Sequence, residues 1–169
     1  SHRPERVSER LEFGHWKCDL VMFRKEFGKT NVTSLVERVS RFAVVLRNPD
    51  RQSKPVMEGL IDSLSPLPAE ARRSITFDRG TEFTAWRHLK AGLGVDAWFC
   101  DPKSPWQKGT VKNTNNRLRR YLPRKADPTV FTDRYLRSIC DRLNNTPRKC
   151  LGYQTPAEVF QAKLMEGEP

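Results

Sequence analysis

Residues 74–83 read Ser-Ile-Thr-Phe-Asp-Arg-Gly-Thr-Glu-Phe. The β-branched and aromatic residues up to Phe77 predict a short buried strand, and Asp78 stands where that strand should stop. Arg79-Gly80 turns the chain, after which Phe83, Trp86, Leu89 and Leu93 recur at helical spacing. A carboxylate at the C-terminal end of a strand lies in the crevice where open α/β sheets hold ligands. Asp-x-Gly is also ordinary turn chemistry, so the assignment depends on what the rest of the chain supplies.

Upstream, His15–Phe23 (HWKCDLVMF) predicts the first strand, apolar on both faces apart from Lys17 and Asp19. A carboxylate in such a strand needs a partner, either a neighbouring Lys or Arg or a metal ion, because burying it alone is costly. Gly28-Lys29-Thr30 is a turn. Asn31–Val39 and Arg41–Leu46 (RFAVVL) then predict a second and a third strand, the third reading as central. Short turns between three consecutive strands make an antiparallel meander. Val56, Leu60 and Leu64 predict an amphipathic helix over Ser53–Leu64, ended by Pro66 and Pro68. The strand up to Asp78, a helix over Phe83–Leu93 and a strand over Val95–Cys100 follow. The order β-β-β-α-β-α-β-α predicts an α/β, ribonuclease-H-like fold. Its five-stranded mixed sheet has three antiparallel strands followed by α/β crossovers, with helices on its flanks.

Lys103–Arg120 reads KSPWQKGTVKNTNNRLRR. Pro105 and Gly109 make its first part a loop, where Trp106 is either an anchor or a stacking surface. From Thr110, an acceptable N-cap, Val111, Thr114, Leu118, Tyr121 and Leu122 form an apolar stripe. Lys112, Asn115/Asn116 and Arg119 line the opposite face, a pattern that suits either phosphates or plain solvent. Lys103, Lys108, Lys112, Arg117, Arg119, Arg120, Arg124 and Lys125 fall in one segment without a carboxylate, which favours a polyanion. Thr132 caps a helix through Asn144 with Tyr135, Leu136, Ile139, Cys140 and Leu143 inward. Asn144–Gln154 is a basic connector, and Thr155-Pro156-Ala157-Glu158 is a capping box opening a last helix to about Met165.

The 31 Lys and Arg against 20 Asp and Glu give a net charge of +11, which argues for an anionic partner. Nucleic acid is favoured over a membrane surface, since no basic amphipathic helix stands out and no apolar run approaches the ~20 residues a span needs. No signal peptide is visible. Cys18, Cys100, Cys140 and Cys150 show no C-x-x-C pairing, and His2, His15 and His88 complete no zinc pattern. Reduced thiols and a cytoplasmic location are expected, with Cys18 and Cys100 as small core residues. Residues 1–13 are a charged arm, residues 14–165 one domain, and a start at Ser1 suggests a piece of a longer protein.

Four stretches, GHWKCDL, TFDRGTEF, DPKSPWQKGTVKNTNNRLRRYLP and LNNTPRKCLGYQTPAEVF, resemble in order and spacing the catalytic domain of DDE-type bacterial insertion-sequence transposases. These belong to the retroviral-integrase-like superfamily, and the resemblance runs from about Gly14 to Phe160. It implies DNA transposition by two-metal phosphoryl transfer with Mg²⁺ or Mn²⁺. It further implies transposon-end and target DNA as partners, self-association of the full-length protein, and an arm leading from a helix-turn-helix region. Asp19 and Asp78 match two of the family's three acids and are the implied metal ligands. Trp106, Lys108, Asn113, Asn115, Arg117, Arg119 and Arg120 are the implied DNA contacts.

The third acid departs from the pattern. Thirty-three residues separate Asp78 from Lys112, so the family's glutamate position holds a lysine, and Lys17 stands at a second family glutamate. A Lys–Asp attraction at about 4 Å and an effective dielectric near 20 is worth roughly 4 kcal/mol before desolvation. A lysine can therefore take the place of a metal, and impaired catalysis is expected. The competing readings are a non-catalytic DNA-binding or regulatory derivative, and a two-carboxylate nuclease that recruits Asp101 or Glu82.

Overall fold

A computed structural model describes residues 12–50, 52–77, 87–99 and 116–167. One mixed sheet holds β1 (His15–Val21), β2 (Asn31–Glu37), β3 (Ala43–Asn48), β4 (Ser74–Phe77) and β5 (Asp96–Phe99), in the spatial order β3-β2-β1-β4-β5. The first three strands are antiparallel, as their short connections require, while β1, β4 and β5 run parallel. The two parallel crossovers carry α1 (Ser53–Leu64) and α2 (Arg87–Leu93); α3 (Asp133–Asn144) and α4 (Pro156–Glu166) follow the sheet. This is the five-stranded α/β arrangement expected from the sequence. The expected position of Cys100 lies outside the described residues, whereas Cys18 is fully buried.

Alternation along β1 sends Trp16 and Cys18 to one face of the sheet and Lys17, Asp19 and Val21 to the other. The first face packs with Leu35, Ile75 and Phe77 against Val56, Met57, Leu60 and Leu64 of α1, Leu89 of α2 and Phe160 of α4. Trp16 is completely buried, donates its indole N–H to the Ala71 carbonyl at 2.7 Å, and meets Phe160 edge-on. Phe160 also stacks on Phe42 and touches Phe13, so one side chain seats α4. The Thr155/Glu158 capping box that starts α4 is formed as read from the sequence. The second face buries Val21, Val32 and Val45 against Leu118, Leu122, Phe131, Leu136 and Ile139.

Gly14 leads the chain into β1 at φ +99°, and a β-carbon there would come within 2.3 Å of the Glu70 carbonyl. Glycine is required on both counts.

Three expectations need correction. The stretch RFAVVL is an edge strand, not a central one. It is apolar from Phe42 to Leu46 because both faces are covered: Val44 and Leu46 pack on the α1 side and Val45 on the α3 side. Its outer edge is covered too. The Asn144 amide accepts from the Ala43 N–H at 2.8 Å and donates to the Ala43 carbonyl at 2.9 Å, standing in for the peptide of a neighbouring strand. The Val45 backbone hydrogen-bonds the Cys140 thiol, whose pKa burial pushes up to about 11. Tyr135, read as inward, is exposed. Its ring stacks on Phe131 and its hydroxyl donates to the Tyr121 carbonyl. The helix read from Thr110 to Leu122 is helical over residues 116–118 and becomes turns from Arg119. Its start lies outside the described residues, yet Leu118 and Leu122 do form the buried stripe.

Candidate functional site

The β1–β4 pairing positions the site. The two strands run parallel in the register His15↔Ser74, Trp16↔Ile75, Lys17↔Thr76 and Cys18↔Phe77. Asp19 follows Cys18 on β1 and faces Ser34 of β2. It is half-buried, and one carboxylate oxygen accepts the Leu20 N–H at 2.9 Å. Lys17 precedes it by two residues on the same face, about 6.6 Å along the strand, and is completely buried. The helical residues 116–118 cover this same face, since Leu118 packs in one cluster with Val21 and Val32.

Asp78, Lys112, Trp106, Lys108, Asn113 and Asn115 lie outside the described residues, as do Glu82 and Asp101. Of the basic residues read as DNA contacts, Arg119 is half-buried and engaged within the protein. Its guanidinium donates to the Met22 carbonyl at 2.6 Å and to the Leu122 carbonyl at 3.3 Å, and lies over the Phe23 ring. Burial lowers its pKa from the usual arginine value, with Arg124 adding repulsion. Arg117 and Arg120 share a cleft with Asn116 and Arg148. Arg148 had no periodic pattern to single it out, and the basic character of its connector was the only signal available.

At the start of β1, His15 ties three elements together. Its Nδ1 lies 2.6 Å from the Ser74 hydroxyl and its Nε2 lies 2.6 Å from a Glu12 carboxylate oxygen. Burial lowers its pKa from 6.5, and Glu12 only partly restores it. Below about pH 6.5 the unfolded chain therefore binds a proton that the folded chain resists, so stability falls as pH drops through that window. The expected slope from this one residue is at most about 1.4 kcal/mol per pH unit. Urea midpoints at pH 7.5 and 5.5 measure it, and a His15→Gln chain should show a smaller drop. An equal drop in both chains would locate the titration elsewhere.

The Integrase core domain model matches residues 9–105. A transposase for insertion sequence element IS1086 from Cupriavidus metallidurans is 40% identical over 162 residues, covering 96% of this chain and 47% of the relative. Transposase InsI for insertion sequence element IS30C from Escherichia coli K12 is 38% identical over 159 residues, covering 94% of this chain and 41% of the relative. The chain thus spans under half the length of these two proteins. Among solved structures, the catalytic core domain of BIV integrase superposes with a TM-score of 0.67 at 21% identity, over 91% of this chain and 98% of that one. A chain of the simian T-cell lymphotropic virus intasome gives 0.71 at 18% identity, over 94% and 56%. Both share the ribonuclease-H-like fold. With the sheet order, the β1–β4 register and the family match in agreement, the chain belongs to the integrase core domain family.

Proposed function

We propose that the chain is the catalytic core of an insertion-sequence transposase, acting on transposon-end and target DNA, with its phosphoryl-transfer site impaired by lysines at positions 17 and 112. The supporting observation is the β1–β4 register. Asp78 is covalently joined to Phe77, with Cα atoms about 3.8 Å apart, and Phe77 is the partner of Cys18, which precedes Asp19. Asp19 and Asp78 thus each follow, in sequence, one member of a paired position on neighbouring parallel strands, which supports reading them as one pair of carboxylates. Residues 1–13 act as the arm and 14–165 as the core. Self-association belongs to the full-length protein, and a cytoplasmic location suits a DNA substrate. Among the described residues no helix is long and apolar enough to cross a membrane.

In this family a divalent ion activates the attacking oxygen and stabilises the leaving one. Asp19 and Asp78 are the residues that would hold Mg²⁺ or Mn²⁺ here. The donor set fits such an ion poorly. Two carboxylates set against Lys17 and Lys112 sum to no net charge, and Lys17 is buried on the Asp19 face. Buried Lys17 also favours a second reading, a DNA-binding derivative without catalysis.

A nicking assay with Mn²⁺ on duplex DNA carrying transposon ends separates the two. Residual cleavage that vanishes in Asp19→Asn supports the impaired transposase. Cleavage no greater than that of Asp19→Asn, with duplex binding retained, supports the non-catalytic derivative.

A further inference from the structure

Five arginines gather where the 116–120 segment, the end of α3 and the connector after it meet the β2–β3 turn. Two of them are occupied by the fold. Arg142 lies over the Tyr121 ring and sits in the last turn of α3, where a cation complements the helix dipole. Arg41 donates to the Arg38 carbonyl. The other three, Arg117, Arg120 and Arg148, line a cleft of about 320 Å³ together with Asn116. No carboxylate or carbonyl among the described residues pairs with any of these three guanidiniums. Arg117 and Arg148 are nonetheless half-buried. Each guanidinium carries five donors and no acceptor, so the cleft is lined by fifteen N–H groups with no acceptor for them among the described residues.

Like charges held together and partly out of water oppose folding, and they persist where an external anion relieves them. The backbone here is built to hold them. The Arg148 N–H donates to the Gln154 carbonyl, and the Arg148 carbonyl accepts from Leu151 and Tyr153, closing a seven-residue loop. Gly152 and Tyr153 both take the left-handed conformation, φ +63° and +67°, to close it. Arg117 and Arg120 are fixed one turn apart by the Arg120 N–H to Arg117 carbonyl bond. Preorganised forks of this kind suit phosphate oxygens better than flexible surface lysines do. Burial lowers the Arg148 pKa first, and repulsion from Arg117 adds to it, so these two charges are within electrostatic reach of each other.

We propose that the Arg117–Arg120–Arg148 cleft is a docking site for a backbone phosphate of duplex DNA. The proposal rests on DNA being the substrate but not on catalysis. Arg148 also feels Arg41 in the turn after β2, and that turn is hydrogen-bonded to His15 at the start of β1. Asp19 lies four residues, or about 13 Å, further along β1. In this reading the cleft holds the duplex and takes no part in the reaction.

The test titrates a short labelled duplex into the parent chain, Arg148→Ala and Arg137→Ala between 50 and 200 mM salt. Arg137 is an exposed α3 arginine beside Asp133 and Asp141, and it controls for loss of charge alone. Arg148→Ala is expected to bind about fivefold more weakly, with a log–log salt slope shallower by about 1, while Arg137→Ala matches the parent. An unchanged slope in Arg148→Ala, an equal loss in Arg137→Ala, or no duplex binding by the parent would overturn the proposal. A parallel titration with inorganic phosphate identifies the source: raised thermal stability without any Arg148 effect on duplex binding marks a small-anion site and overturns the DNA assignment. Duplex binding that depends on Arg148 but comes without Mn²⁺-dependent nicking leaves the cleft intact and removes the catalytic reading.

Discussion

Lys112→Glu is expected to raise Mn²⁺ affinity at least tenfold over the parent chain. The substitution exchanges a cation for an anion beside a divalent ion. At about 7 Å and even at the dielectric constant of water, that exchange is worth about 2.4 kcal/mol, enough for a change of more than tenfold. A less polar surrounding enlarges it and salt screening reduces it, so the comparison belongs in low-salt buffer. Calorimetry of the two chains under one buffer measures the difference. Equal affinities would place the Lys112 ammonium away from the aspartates, or show that Asp19 and Asp78 suffice for the ion. Cleavage activity is a separate outcome, because Lys17 remains buried beside Asp19 in the variant.

Trp16→Ala is expected to cost about 3–5 kcal/mol of folding stability. The side chain is completely buried and its removal leaves a cavity among Leu64, Ile75 and Phe160, which belong to the same core cluster. It also strips the Ala71 carbonyl of its indole donor. Against a total of roughly 5–15 kcal/mol for a domain, such a loss is a large share of the whole. Chemical denaturation gives the number directly, and Trp16→Phe, which keeps the ring packing on Phe160, should recover part of it. A cost below about 1 kcal/mol for the alanine chain would mean that α4 collapses into the space.

Much of the fold was legible because local pattern and tertiary packing agree. Trp16 and Cys18 alternate with Lys17 and Asp19, and the two faces of β1 follow from that alternation. The capping box at Thr155 and the N-cap at Thr132 are local chemistry, readable without a fold. The errors come from surroundings that sequence does not encode locally. RFAVVL looked central because burial on both faces looks the same whether the edge is covered by a strand or by the side chains of Asn144 and Cys140. Tyr135 fell on an apolar stripe, but its stacking on Phe131 and its bond to Tyr121 are made at the surface. Arg119 was read as facing phosphates, and nothing in the helical pattern signals the Met22 carbonyl that engages it. The arginine cleft needed Arg148 to be brought to Arg117 across intervening sequence that carries no periodic signal.

The Asn144 clasp on Ala43 joins residues 101 positions apart, and this has a bearing on the birth of the chain. The three-stranded meander is complete in sequence by Asn48, whereas the amide that seals its outer strand is added much later. At about 5–20 residues per second of synthesis, that interval is roughly 5–20 s. Throughout it the backbone of Ala43 lacks its mate, and an open strand edge is a template for other nascent chains on the same message. The segment between residues 49 and 144 therefore sets a clock for crowding on the polysome. Chains that stop short of residue 144 lack the amide that closes that edge.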